Sequence, residues 1–381
     1  MKIFDSWLSA HWRARDPDEA RHMNRLDRLA VHVKRIGPGL LFPHSANNVD
    51  VGNLRRLKTE GASNEMYSFH LTYSVNGMKY QTVLILRMYR HGEEIGRKEF
   101  AVLKALKEQN IPVPSAYSLE TSKEIMGKPF VIMEKVVGKS ASNFLHDGTI
   151  AIQTVDKLAE SLAMVHKLDP SCINYPGLFI EQPIFAQRKL AQTRALIKHK
   201  CRSSFPPVRR QRYSEALELL EKVETCQRFP PTLLHGDFTS DHVLMTKDGW
   251  AIIDWEDATV GDPAFEVGWI YHTLMWVGQN QIDHRIIKRS TTVGVDLREH
   301  FVKCYERYIG HNLANLEFYK NLAALQLALL YDGRLRPGIF SAPIVPLGLK
   351  GRFFGAFFVR NEMRPFSDYC AQQLESKGIL H

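Results

Sequence analysis

An α+β fold is predicted for this chain: a small β-rich part, a larger and mainly helical part after it, and a single helix ahead of both. Three observations carry the prediction. Tyr67, Phe69, Leu71, Tyr73 and Val75 alternate with mostly polar residues, as in a half-buried strand, and Asn76-Gly77 supplies a hairpin turn into a second apolar run, Tyr80–Tyr89. Beyond Gly138 the apolar residues fall at helical spacing, as in Leu158, Leu162 and Val165. Within that helical part, Leu233–Trp269 reads instead as a short strand, a polar loop and a β-hairpin flanked by two carboxylates.

The helix ahead of both parts spans residues 16–36. Asp16 suits the N-cap, Pro17 the first turn, and Asp18-Glu19 the positive end of the dipole. Met23, Leu26, Leu29, Ala30 and Val33 form its apolar stripe, and Gly37-Pro38 ends it. This stripe should pack on the β-rich part; the exposed face could serve a partner chain. The domain boundaries that follow are 1–45 for the helical extension, 46–137 for the β-rich lobe and 138–381 for the helical lobe.

In the β-rich lobe, Glu60-Gly61-Ala62-Ser63-Asn64-Glu65 forms a loop between two strands, with small residues that allow close backbone approach. Glu93–Gln109 reads as a helix carrying Phe100, Leu103 and Leu106, closed by Asn110 and Pro112. Phe130–Gly138 reads as the last strand of the lobe running into a hinge. In the helical lobe, helices are expected over Thr154–Leu168, within 185–229 with a break at Phe205-Pro206-Pro207, after an Asp262 cap with Pro263 first, over Val295–Ile309, over Asn315–Tyr331 and through Asn361–Ser376. Residues 279–295 and 332–350 read as loop. His166 is expected to be a core histidine.

Composition narrows the function. With 381 residues, 44% hydrophobic and 24% charged, the chain is ordinary for a globular protein of two or three lobes. No run approaches the roughly 20 apolar residues of a membrane span, so no membrane partner is expected. The opening MKIFDSWLSAHWRARD lacks an uninterrupted apolar segment, so no secretory signal is expected. Cys172, Cys201, Cys226, Cys304 and Cys370 are widely spaced with no CxxC pair, which suggests free thiols in a cytoplasmic setting. The net charge of +9 is spread out and lies mostly before residue 145, so a solvated surface explains it better than a nucleic-acid partner. Oligomeric state is not legible.

The flanked hairpin carries the chemistry. Its strands are Val243–Met245 and Ala251–Ile253, turned at Lys247-Asp248-Gly249, with Asp237 in the loop before and Asp254 just after. A hairpin returns the chain to its start, so both carboxylates reach one edge. Phosphoryl transfer needs one carboxylate for the proton of an attacking hydroxyl and another to hold Mg²⁺ against nucleotide phosphates. The competing reading takes both as turn-forming Asp residues.

The ordered run His235-Gly236-Asp237, Val243-Leu244, Ile253-Asp254-Trp255-Glu256 and Gly261-Asp262-Pro263-Ala264 resembles the aminoglycoside phosphotransferase and choline kinase-like family. The resemblance implies a two-lobed protein-kinase-like fold and an NTP-dependent phosphotransferase acting on a small-molecule hydroxyl, with ATP or GTP and Mg²⁺, or Mn²⁺, as cofactors. It implies Asp237 as catalytic base and Asp254 as metal ligand. Arg87 falls where such kinases carry the cation that grips the α- and β-phosphates, and Glu99 where its ion-pair partner lies, the competing reading of Arg87 being a surface Arg ending a strand. Ser63 and Asn64 fall in the loop that would cover the phosphates, though a plain hairpin loop would look the same, and the backbone of Glu134–Val136 falls at the hinge that would meet the base. His242 stands where most members carry Asn as a second metal ligand, a feature seen among macrolide phosphotransferases. Mg²⁺ prefers oxygen, which leaves four readings open: a weaker ligand, a Mn²⁺-tolerant one, a donor to phosphate, or a structural His.

Two other functions compete. One is a nucleotide-binding protein whose catalysis the His242 change has ended. The other is a protein kinase, which the lack of Asp-Phe-Gly and Ala-Pro-Glu segments disfavours. The acceptor is expected to be neutral, apolar or singly charged. Seven carboxylates and no Lys or Arg lie between Asp248 and His284, but only Glu256, Asp257 and Glu266 lack another duty. Trp269, Tyr271, Trp276 and Phe353–Phe358 are expected as aromatic walls instead, the competing reading being that they are simply core.

Overall fold

A computed structural model of the chain describes residues 25–57, 64–145, 148–179, 185–200, 207–225, 230–274 and 295–332. The first half of the N-terminal helix, Ser63 with most of its loop, Trp276, the 279–294 segment, the 353–358 run and the helix expected through Asn361–Ser376 lie outside the described residues. The chain divides into two units, Met1–Phe100 with Ser115–Lys135, and Ala101–Pro114 with Val136–His381.

The first unit is built on a five-stranded antiparallel sheet in the order β1-β2-β3-β5-β4. The strands are β1 Asn47–Arg56, β2 Asn64–Val75, β3 Met78–Tyr89, β4 Ala116–Glu120 and β5 Phe130–Glu134. Val75 pairs with Met78 across the turn, and Asn76 and Gly77 have φ of 51° and 77°. Positive φ at both central residues is what a tight hairpin needs, and Asn-Gly takes it at least cost. Helix α1, Arg25–Ile36, buries Leu29, His32 and Val33, and the two apolar residues join Phe69, Leu86, Phe130 and Ile132 in one core. The expected packing on the β-rich part is therefore present. Burial lowers the His32 pKa to about 4, so its ring, edge-on to Phe130, is neutral there.

Helix α2, Glu93–Glu108, ends at Asn110, whose φ of 59° gives the left-handed residue that stops it. The second unit carries the remaining described helices: α3 Gly148–His166, α4 Phe185–Lys200, α5 Pro207–Glu221, α6 Pro263–Thr273, α7 Leu297–Ile309 and α8 Leu316–Asp332. Helix α3 starts at Gly148 rather than at the expected Thr154. The Thr154 hydroxyl bonds back to the Ile150 carbonyl at 2.7 Å, which places Thr154 inside the helix and not at its cap. Asp262 caps α6 by accepting the Ala264 N–H, with Pro263 first, as its sequence predicts.

Two small sheets position the loop that matters. Strands β6 Lys139–Ser140, β8 Val243–Thr246 and β9 Gly249–Ile252 form one, in the order β6-β8-β9. The hairpin therefore has a two-residue turn, Lys247-Asp248, and its second strand begins two residues earlier than expected. Strand β7, Thr232–Leu234, pairs with β10, Thr259–Gly261, a partner with no sequence signal because three residues are too few to show a period. Among the described residues no helix is long and apolar enough to cross a membrane.

Candidate active site

The loop His235–His242 leaves β7 and returns into β8. Gly236 makes the turn possible: its φ is 90°, and a Cβ there would run into the Asp257 carbonyl. His235 is fully buried. Its Nε2 lies 2.8 Å from the Ile253 carbonyl and its Nδ1 3.3 Å from the Asp237 N–H. Only the neutral Nε2–H tautomer satisfies both, and burial lowers its pKa accordingly, against the opposing pull of Glu266.

Glu266 on α6 braces the loop. One carboxylate oxygen accepts the Gly236 N–H at 2.6 Å; the other accepts the His235 N–H at 3.0 Å and meets His166 Nε2 at 2.9 Å. Burial alone would raise its pKa, but His166 and His235 outweigh it and hold the carboxyl below its ordinary value. His166 is also 2.6 Å from the Tyr305 hydroxyl of α7, so the expectation of a core histidine holds. Of the three carboxylates left as possible ligands for a cation, Glu266 is 1% exposed with both oxygens spent on the loop.

One helical turn on, Trp269 donates its indole N–H to Asp237 Oδ1 at 3.1 Å. Glu266 and Trp269, three residues apart on one face of α6, thus hold the loop twice. Trp269 was read above as a pocket wall, and its bond to Asp237 is the contact that the sequence did not show. Tyr271 points elsewhere: its hydroxyl donates to Glu299 at 2.7 Å, and Lys320 Nζ stacks 4.0 Å from its ring centre.

His242 lies between the two carboxylates. Its Nδ1 is 2.8 Å from the Asp237 carbonyl and 3.8 Å from Asp237 Oδ2, and its Nε2 is 3.6 Å from Asp254 Oδ2. Burial pulls its pKa down, but Asp237, Asp254, the bond to the Asp237 carbonyl and Asp241 together carry it above the ordinary value. Asp254 itself has φ of 71°, left-handed and costly for a residue with a Cβ. Its side chain caps nothing in the turn Trp255–Asp257 that follows. Asp241 accepts from Ser140 at 3.0 Å and from Ser142, tying the loop to the segment after β6.

In the first unit, Arg87 of β3 and Glu99 of α2 form an ion pair at 3.2 Å, with side chains 7% and 1% exposed. Glu99 also accepts the Tyr89 hydroxyl at 2.6 Å. The strand–helix adjacency that the sequence required is present. Asn64 accepts the Arg90 N–H through Oδ1 at 3.4 Å and so helps close the β2–β3 pair. Glu134 gives its N–H to the Ser115 carbonyl and takes the Ser115 N–H and hydroxyl on its carboxylate. Its amide is thus committed to the sheet; Val136, half-buried, lies in the second unit.

A buried pair of this kind is coupled, and that gives a test. Arg87→Ala and Glu99→Ala should each weaken nucleotide affinity, and the double variant should lose less than the two losses together, by about 0.5–3 kcal/mol. Simple additivity in calorimetric Kd values would show that they do not act as a unit.

Comparison with known proteins fits this geometry. A profile of the phosphotransferase enzyme family (APH) matches residues 57–295. The chain is 17% identical to an assigned aminoglycoside phosphotransferase from Ralstonia eutropha, with a TM-score of 0.63, covering 91% of this chain and 98% of that one. Choline kinase from Cryptosporidium parvum superposes with a TM-score of 0.59 at 12% identity, over 93% of this chain and 97% of that one. A ternary complex of the aminoglycoside phosphotransferase APH(4)-Ia with AMP-PNP and hygromycin B gives 0.51 at 17% identity, over 84% and 94%. The chain belongs to the phosphotransferase enzyme family, and its fold is the α+β, protein-kinase-like fold of small-molecule kinases. Among curated sequences it is 26% identical to rat acyl-CoA dehydrogenase family member 11 over 247 residues, 62% of this chain, and 26% identical to mouse acyl-CoA dehydrogenase family member 10 over 317 residues, 81% of it. It spans 31% and 28% of the length of those relatives.

Proposed function

We propose that the chain transfers the γ-phosphoryl group of ATP or GTP to a hydroxyl of a small molecule, with Asp237 taking the hydroxyl proton. The observation that supports this most is the holding of Asp237. Its side chain is 40% exposed, one oxygen is fixed by Trp269, and the backbone behind it is clamped by Glu266. A carboxylate kept open on one side and oriented on the other suits a base or a nucleophile-orienting group.

The residues present fit a divalent cation. Asp254 supplies the hard oxygen that Mg²⁺ favours. With Nδ1–H on the Asp237 carbonyl, His242 keeps its Nε2 toward Asp254, the pattern in which a ligating His ties its other nitrogen to a carbonyl. When bound, the cation would neutralise charge on the transferring phosphoryl group. Arg87, steadied by Glu99, would grip the non-transferred phosphates, with the loop at Ser63 and Asn64 covering them and the Glu134–Val136 backbone meeting the base.

His242→Asn should keep or raise Mg²⁺-dependent activity and narrow any advantage of Mn²⁺. An amide can give an N–H to the Asp237 carbonyl and still offer an oxygen to the metal. Metal titrations of both forms check this; complete loss in the Asn variant would mean that the imidazole has its own role.

For the acceptor we propose a neutral, apolar or singly charged molecule, since one of three carboxylates that could have met a polycation, Glu266, is spent on the loop. An NTP-consumption screen of the full chain, with Mg²⁺ and with Mn²⁺, tests the function. The panel covers aminoglycosides, macrolides, choline-like alcohols, sugars and, because of the relatives' names, hydroxylated acyl-CoA compounds. Consumption dependent on one class supports transfer. Nucleotide binding without consumption across the panel favours a binding module without turnover.

A further inference from the structure

The geometry points to a second metal site, separate from Asp237 and Asp254, that takes a zinc-class divalent ion between α3 and α7. Its ligands are Asp156 of α3 and His300 and Cys304 of α7. The ring nitrogen His300 Nε2 lies 2.9 Å from Asp156 Oδ1, Cys304 Sγ lies 2.9 Å from the same oxygen, and Sγ and Nε2 are 3.5 Å apart. The three donor atoms therefore converge on one point rather than forming a chain.

Two features argue for a metal over other uses. A catalytic Cys-His-Asp relay needs the imidazole to meet thiol and carboxylate through different nitrogens, whereas here both meet Nε2. The spacing fits tetrahedral zinc. Bonds of about 2.3 Å to sulfur and about 2.0–2.1 Å to nitrogen place neighbouring sulfur and nitrogen ligands about 3.5 Å apart, which the Sγ–Nε2 separation already meets. The nitrogen–oxygen edge would have to open by about 0.4–0.5 Å and the sulfur–oxygen edge by about 0.6–0.8 Å, which Asp156, with a side chain 43% exposed, can do by a small side-chain rotation.

The donor set selects the ion. A thiolate and an imidazole favour zinc and its neighbours over Mg²⁺ or Ca²⁺, and three protein ligands leave a fourth position for water. Asp156 and a Cys304 thiolate would balance the two positive charges, and Arg307 Nη2 lies 3.7 Å from Sγ. His300 and Cys304 stand at i and i+4 on one helix face, and Asp156 faces them across the helix pair. The ion would thereby staple α3 to α7, the helices that supply His166 and Tyr305 behind the Glu266 brace.

The test uses the full chain, stripped with chelator and titrated with Co²⁺ and Zn²⁺. One equivalent of Co²⁺ should give a thiolate charge-transfer band in the near ultraviolet, displaced by Zn²⁺. Cys304→Ser should abolish the band, and Asp156→Asn, a nearly isosteric change at a half-buried position, should weaken Co²⁺ binding at least about 10-fold, since even loss of a supporting partner costs that much. Asp254→Ala should leave the band unchanged. Absence of a thiolate band in the wild type, or an undiminished band in both Cys304→Ser and Asp156→Asn, would overturn the proposal.

Discussion

Asp237→Asn is expected to lower phosphoryl transfer by about 10²–10⁴-fold, the usual contribution of a positioned acid or base. Nucleotide affinity should change little. The amide is nearly isosteric, so the variant should fold: its oxygen can still take the Trp269 N–H, and the loop's bonds to Glu266 run through His235 and Gly236. What the variant loses is the charge that draws a proton from the acceptor hydroxyl. Transfer rates and nucleotide Kd on one sample check both halves; wild-type rates would remove Asp237 from the mechanism.

The largest stability effect is expected at Glu266. Glu266→Ala leaves the His235 and Gly236 amides and His166 Nε2 buried without their acceptor, and losing one partner of a buried charged network costs about 3–5 kcal/mol. Glu266→Gln should be only partly better, because its NH₂ must face one of these donors. Since the carboxyl is held below its ordinary pKa in the folded chain, its contribution is full above the usual carboxylate range and fades as pH falls through the lowered value. Urea unfolding of the three forms measures the cost. A change under 1 kcal/mol for Ala would show that the brace is not structural.

What the sequence revealed was local. Asn76-Gly77, Asp262-Pro263 and the hairpin between Asp237 and Asp254 are fixed by neighbours within a few residues, so their conformations follow from propensity and turn chemistry. The supports of the loop are not local. Trp269 reaches Asp237 across 32 positions, and His166 reaches Glu266 across 100 and Tyr305 across 139. In the sequence Glu266 is an acidic residue in an acidic stretch; only packing turns it inward. The one signal that could have marked it is its spacing from Trp269 on a helix already placed after the loop. Asp156 was invisible as a ligand for the same reason as His166: its partners are on a helix more than 140 residues away.

The central claim is that this chain moves a γ-phosphoryl group onto a small-molecule hydroxyl. The direct measurement follows γ-labelled ATP and GTP with the full chain, Mg²⁺ and the acceptor panel, separating labelled phosphoester from free phosphate. The account predicts label on the hydroxyl of one acceptor class, lost with Asp237→Asn. Label only in free phosphate, or phosphoester formed equally well by the Asn variant, would contradict it.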